Sequence, residues 1–141
     1  MEFFTTFKIA GTGLSAQRAK MDVVTSNLAN INSTSTPEGG PYKRKIITFE
    51  AEPLKKGFDK ALEGAVQAVK VKGITEDQEG IKRIYDPAHP DADKDGFVSF
   101  PNVNAMLEMA EMITANRTYE ACATAFDAAK NMAQTAMNIG K

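Results

Sequence analysis

Six prolines and most of the ten glycines crowd into the centre of the 141-residue chain, and this distribution limits the fold more than any single motif does. No proline precedes Pro37 and none follows Pro101. Proline removes a helical hydrogen bond and clashes with the preceding turn, so a proline-free stretch is open to continuous helix. Two long helical ends flanking a broken middle is the predicted organisation.

Apolar spacing supports this at both ends. Phe3, Phe7, Ala10, Leu14, Gln17, Met21, Val24, Leu28 and Ile31 step by four and three, and only Gln17 is polar. That is an a/d heptad seam. Gly11 and Gly13 interrupt it at roughly 1 kcal/mol each relative to Ala. The secure helix is therefore read from Leu14 to Ile31, with the first ten residues either separate or helical only when packed. At the other end, Asn102 is the expected cap after Pro101, and no Gly or Pro follows until Gly140, a plausible stop. Met112, Ala115, Tyr119, Cys122, Phe126, Ala129, Ala133 and Ala136 form the second seam. Its alanines favour close helix–helix approach.

The last segment would reach ~55 Å as a helix, against a diameter of roughly 37 Å for a compact domain of this chain length. It should overhang. Yet between Asn102 and Asn138 only Glu108, Glu111, Arg117, Glu120, Asp127 and Lys130 are charged, while Met106, Met109, Ile113, Met132 and Met137 lie off the seam. Such a helix asks for more than one neighbour.

In the middle the period becomes two. Tyr42–Glu50 and Ala65–Ile74 read as strands, with Ile81–Tyr85 and Phe97–Phe100 as shorter ones, giving a small antiparallel sheet. Asn32–Pro41 is a polar linker, and Leu54–Gly64 is either a helical turn or a loop. The fold class is α+β: long terminal helices packing as a coiled-coil-like helical core, with a small antiparallel β-rich middle domain. The divisions fall at 1–36, 37–100 and 101–141.

Reactive residues are scarce. One Cys and one His exclude an internal disulfide and the usual four-ligand His/Cys zinc site. Seventeen basic against eighteen acidic residues give no global reason to bind nucleic acid or anionic membrane. The first ten residues lack the pattern of a cleaved secretory signal, and no apolar run approaches the ~20 residues of a membrane helix.

Several constellations have residue types that could carry chemistry. Gly11, Gly13 and Ala16 fit G-x-G-x-x-A but lack the following strand and acidic residue of a dinucleotide site, so helix-entry glycines are the better reading. Asp91, Asp93, Asp95 and Gly96 match the first half of a Ca²⁺ loop, yet Asn102 stands where the bidentate Glu belongs; a capped acidic turn competes with weak Ca²⁺ binding. His89 reads as a turn histidine and Cys122 as a small seam residue. Lys43, Arg44 and Lys45 read as a solvated strand edge. No convergent catalytic pair is present, no cofactor is implied, and an enzyme is not expected. The run Ser26-Asn27-Leu28-Ala29-Asn30-Ile31-Asn32 is unusual, with amides suited either to capping a helix end or to bonding across a helix pair.

That run resembles the N-terminal signature of the bacterial flagellar rod and hook axial proteins. Glu38–Arg44, Tyr85-Asp86-Pro87, His89–Asp93, Asp95–Val98, Pro101–Asn104 and Met112–Ala121 narrow the likeness to the proximal-rod, FlgC-type family of the flagellar basal body. Cys122 stands where Asn is more often found. The resemblance spans the chain and implies a structural subunit that polymerises helically through its terminal helices and transmits torque. Its implied partners are other copies of itself, other rod proteins and the flagellar type III export apparatus. It implies a rod spanning the periplasm, reached without a cleaved signal. Together with the seams it nominates Leu14, Met21, Val24, Asn27, Leu28, Asn30 and Asn32 as assembly residues on the first segment. On the last it nominates Met112, Arg117, Tyr119, Phe126, Ala129 and Ala133.

Overall fold

A computed structural model describes residues 3–53 and 67–139. The expectations for Leu54–Gly64 and Gly140, and the first two residues of the second strand, lie outside the described residues. Six elements follow in order: α1 (Phe3–Ala29), β1 (Lys45–Pro53), β2 (Gln67–Glu76), β3 (Lys82–Tyr85), β4 (Phe97–Phe100) and α2 (Ala105–Ile139). The architecture is α+β, with two long helices and antiparallel strands between them.

The helices pair along the two seams in antiparallel sense. Phe7 meets Phe126 edge-on at 4.8 Å between ring centroids, and Lys20 reaches Glu111 at 3.3 Å. Ala10, Val24, Ala115 and Ala129 are buried at this level or on its flanks. α1 is continuous from Phe3, so the glycines do not divide it. Gly13 has a packing reason to be there: a Cβ added to it would stand 3.0 Å from Cys122 Sγ, whereas one on Gly11 would meet nothing within 4 Å. The helix-entry reading of Gly11, Gly13 and Ala16 is thus corrected. All three lie within α1, with Gly13 serving close approach to α2 and Ala16 buried.

Two other helix boundaries moved, and β1 runs over Lys45–Pro53 where Tyr42–Glu50 is expected. α1 ends at Ala29 and not at Ile31, because Asn30 Nδ2 bonds back to Ser26 O at 2.8 Å and its Oδ1 accepts from Ser33 Oγ, turning the chain. α2 begins at Ala105, capped by Asn104, whose Oδ1 accepts from Met106 N at 3.1 Å and Leu107 N at 3.4 Å. Asn102, the expected cap, is used elsewhere: its Oδ1 accepts from Arg44 N and its Nδ2 donates to Asp77 O and Glu79 O.

The strands form two separate two-stranded hairpins instead of one sheet. β1 pairs β2 from Lys45↔Glu76 to Pro53↔Gln67, with a register shift between Thr48 and Phe49, and this hairpin lies against α1. β3 pairs β4 from Lys82↔Phe100 to Tyr85↔Phe97. The tight turn leading into β4 requires Gly96, which has φ +77° and would set a Cβ 2.9 Å from the Tyr85 ring.

Over its 35 residues α2 runs ~52 Å against ~40 Å for the 27 residues of α1. The antiparallel pairing therefore carries the last turns of α2 past Phe3 at the start of α1. Met132, Met137 and Ile139 on these turns are exposed. Replacing Gly11 by Ala is expected to raise the melting free energy by up to about 1 kcal/mol through helix propensity. Gly13→Ala should gain markedly less because Cys122 must yield, and Cys122→Ala should restore the difference. Thermal melts of the four variants check this.

Candidate functional site

Where α1 leaves the helix pair and the chain turns into β1, four side chains close a buried polar cluster. Glu108, on the first turns of α2, has 0 % exposure and Asn27 has 1 %. Asn27 uses its full hydrogen-bonding capacity. Nδ2 donates to Lys45 O at 2.9 Å and to Glu108 Oε2 at 3.0 Å. Oδ1 accepts from Tyr42 Oη and from Lys45 N, both at 2.9 Å. The other Glu108 oxygen takes Arg44 Nε at 2.6 Å, and Arg44 Nη2 reaches Glu111 Oε1 at 3.2 Å. No buried side-chain nitrogen or oxygen among the described residues lacks a partner.

A carboxylate taken wholly out of water is tolerated only when paired and hydrogen-bonded, and Glu108 has both an ion pair and an amide donor. Burial alone would lower the pKa of the Arg44 guanidinium. The hydrogen bond and charge of Glu108, joined by those of Glu111, outweigh it and raise the pKa above its ordinary value. The cluster ties α1, the segment before β1, the start of β1 and α2 at one point.

Sequence reasoning nominated Asn27 but missed Glu108, Arg44 and Tyr42. The solvated-edge reading of Lys43, Arg44 and Lys45 is corrected at its centre: Arg44 turns inward to Glu108, while Lys43 Nζ donates to Gln78 Oε1. Asn27 and Asn30 divide the two roles weighed for the asparagine run, one bonding across to α2 and the other turning the chain. A signal for Glu108 did exist, since it lies four residues before Met112 and seven before Ala115, a lone charge on an otherwise apolar seam.

The remaining nominated residues separate by burial. Val24, Asn27 and Ala129 are buried within the chain. Leu14, Met21, Leu28, Asn30, Met112, Tyr119, Phe126 and Ala133 are half-buried, and Asn32 and Arg117 are exposed. Near its start α2 also carries an exposed apolar strip on its other side. Met106, Met109 and Ile113 follow at steps of three and four, turned away from Glu108 and Ala115; Met106 is 77 % and Ile113 55 % exposed. Among the described residues the buried apolar set is otherwise small: Ala10, Ala16, Val23, Val24, Tyr42, Ala68, Val98, Val103, Ala115 and Ala129. Not one is Leu, Ile, Met or Phe.

The acidic turn does different work from a cation loop. Asp93 Oδ1 accepts from Asp95 N and Phe97 N, each at 2.9 Å, and its Oδ2 pairs with Arg83. Asp91 Oδ2 accepts from Thr34 Oγ1. His89 Nδ1 accepts from Asp91 N at 3.1 Å, as a turn histidine does. No group of three or more His, Cys, Asp or Glu among the described residues is arranged to hold a metal ion, and nothing supports the Ca²⁺ alternative. No helix among the described residues is long and apolar enough to cross a membrane.

Comparison with known proteins gives one consistent answer. Residues 7–35 match the family described as Flagella basal body rod protein, and residues 94–139 match Flagellar basal body rod FlgEFG protein C-terminal. The chain is 42 % identical to the flagellar basal-body rod protein FlgC of Borreliella burgdorferi, over 99 % of this chain and 98 % of that one. It is 38 % identical to FlgC of Bacillus subtilis and 35 % to FlgC of Salmonella typhimurium, each over 100 % of both chains.

Asn27→Asp keeps the shape of the side chain but turns its donor into a second carboxylate facing Glu108. It should destabilise the fold by about 3 kcal/mol or more, exceeding Asn27→Ala, and adding Glu108→Gln should recover part of the loss in denaturant titrations. The backbone N–H of Phe97, then that of Asp95 and the Arg83 guanidinium, hold Asp93 below the usual 3.8. Its contribution to stability is therefore present above the unfolded value and lost as pH falls through the depressed folded one. Carboxyl-detected NMR should place its midpoint below 3.8, with Arg83→Ala moving it only part of the way back because Phe97 N remains.

Proposed function

Because the chain belongs to the FlgC family of flagellar basal-body rod proteins, we propose that it is a structural, non-enzymatic subunit of the proximal rod, polymerising through its terminal helices into a shaft that transmits torque. The observation that carries this is the exposed Met106/Met109/Ile113 face of α2. It is an apolar strip on the back of a helix whose front already covers α1, and burying each such side chain is worth ~1.5–3 kcal/mol. Contacts of this kind that repeat without closing build a helical filament.

In this reading residues 1–36 and 101–141 form the rod core and residues 37–100 stand outside it. The half-buried seam residues Leu14, Leu28, Met112, Tyr119 and Ala133 complete their burial against neighbouring copies and other rod proteins, with exposed Asn32 and Arg117 at the rim. Val24, Asn27 and Ala129, sealed within the chain, act by fixing the geometry that presents those residues. The chain leaves the cytoplasm through the flagellar type III export apparatus and takes its place in the rod across the periplasm. Segments that lack neighbours before assembly gain order on docking.

A charge on the outer face separates this role from folding. Ile113→Asp should leave the far-UV circular dichroism and melting temperature close to those of the parent, while weakening self-association in sedimentation about tenfold or more and abolishing motility in a strain relying on this chain. Unaltered self-association and motility would defeat the reading. Phe126→Asp, which breaks the contact with Phe7, should lower the melting temperature as well.

A further inference from the structure

Sulfur dominates the free apolar surface of α2. Among its described residues, the large apolar side chains left exposed are Met106, Leu107, Met109, Ile113, Met132, Met137 and Ile139. Four of these seven are methionine, and each of the four is more than half exposed. Two lie on the face turned away from Glu108 and Ala115, and two on the turns of α2 beyond the start of α1. Met21 and Met112, which lie on the seams, are half-buried. Among the described residues the methionines thus divide between two half-buried on the seams and four that stand open on α2, Met106 and Met109 on the face proposed for assembly and Met132 and Met137 on its last turns.

A thioether is apolar and flexible, which suits it to packing against a neighbour, and it is also open to oxidation by peroxides. We propose that Met106, Met109, Met132 and Met137 are modification sites whose oxidation to the sulfoxide switches this surface from assembling to non-assembling, an inference resting on the assembly role of α2 argued above. In the reaction one oxygen passes from a hydroperoxide to each sulfur. The S–O bond forms as the O–O bond breaks, the sulfur loses two electrons, and the peroxide is reduced to water or an alcohol with no net proton change. The product is a strong hydrogen-bond acceptor in place of an apolar atom, and no polar partner awaits it on an apolar interface. The modification acts on the free subunit, because packing against a neighbour covers the same sulfurs. Reduction by methionine sulfoxide reductases, of both stereochemical classes, returns the surface to its apolar form.

The test uses the purified full chain and hydrogen peroxide, followed by peptide mass spectrometry and sedimentation. Met106, Met109, Met132 and Met137 are expected to gain one oxygen each before Met21 and Met112 do. Self-association should then fall about tenfold or more while the helical circular dichroism is retained, and methionine sulfoxide reductase treatment should restore it. A variant with all four changed to Leu, keeping Cys122, should associate like the parent and ignore peroxide. Loss of association in that variant on peroxide treatment would assign the effect to Cys122 or the half-buried methionines and overturn the proposal. So would unchanged association of the parent once its four methionines are oxidised. Failure of the assembly reading itself has a separate signature, self-association indifferent to Ile113→Asp before any peroxide is added.

Discussion

A fully buried carboxylate, Glu108, governs how the parts of this chain are joined. Left alone such a charge would unfold its surroundings or be neutralised; here it is held by Arg44 on one oxygen and Asn27 on the other. Those partners come from two different stretches of chain, so the helix pair cannot close properly unless the segment before β1 is in place. Tyr42 and both backbone groups of Lys45 complete the arrangement through Asn27. The strength of the cluster is conditional. All of its members together are tolerable, and any one missing leaves a buried group without a partner.

From this joint the helices run side by side. Gly13 against Cys122 and the buried Ala115 and Ala129 bring the backbones close, while Phe7 and Phe126 meet edge-on along the same contact. Met106, Met109 and Ile113 lie off this contact and stand exposed on the opposite face of α2.

Much of this was legible in the chain order of the residues. Heptad spacing located both helices and their facing seams, the proline boundaries located the β-rich middle, and Phe97–Phe100 was placed to the residue. The family signatures at Ser26–Asn32 and in the last segment were readable directly. The errors have a common physical origin. Asn102 was read as a local cap, Arg44 as a solvated edge charge and Gly11 and Gly13 as an entry to a helix because each was judged by its immediate neighbours. In the fold each except Gly11 answers to a residue far away in sequence: Arg44 to Glu108, Gly13 to Cys122, and Asn102 to Arg44 and Glu79.

Sequence alone determined that there would be two long amphipathic helices, which faces of them would meet, and which family the chain resembles. These follow from period and propensity, properties that act over a few residues and so are written in any short window. The tertiary structure decided which polar groups are buried, that Arg44 turns inward, and that the described strands form two hairpins instead of one sheet. Such outcomes depend on donors and acceptors meeting across up to 81 positions of chain. Satisfying a buried charge is a property of the closed assembly of groups and of no single stretch that supplies them.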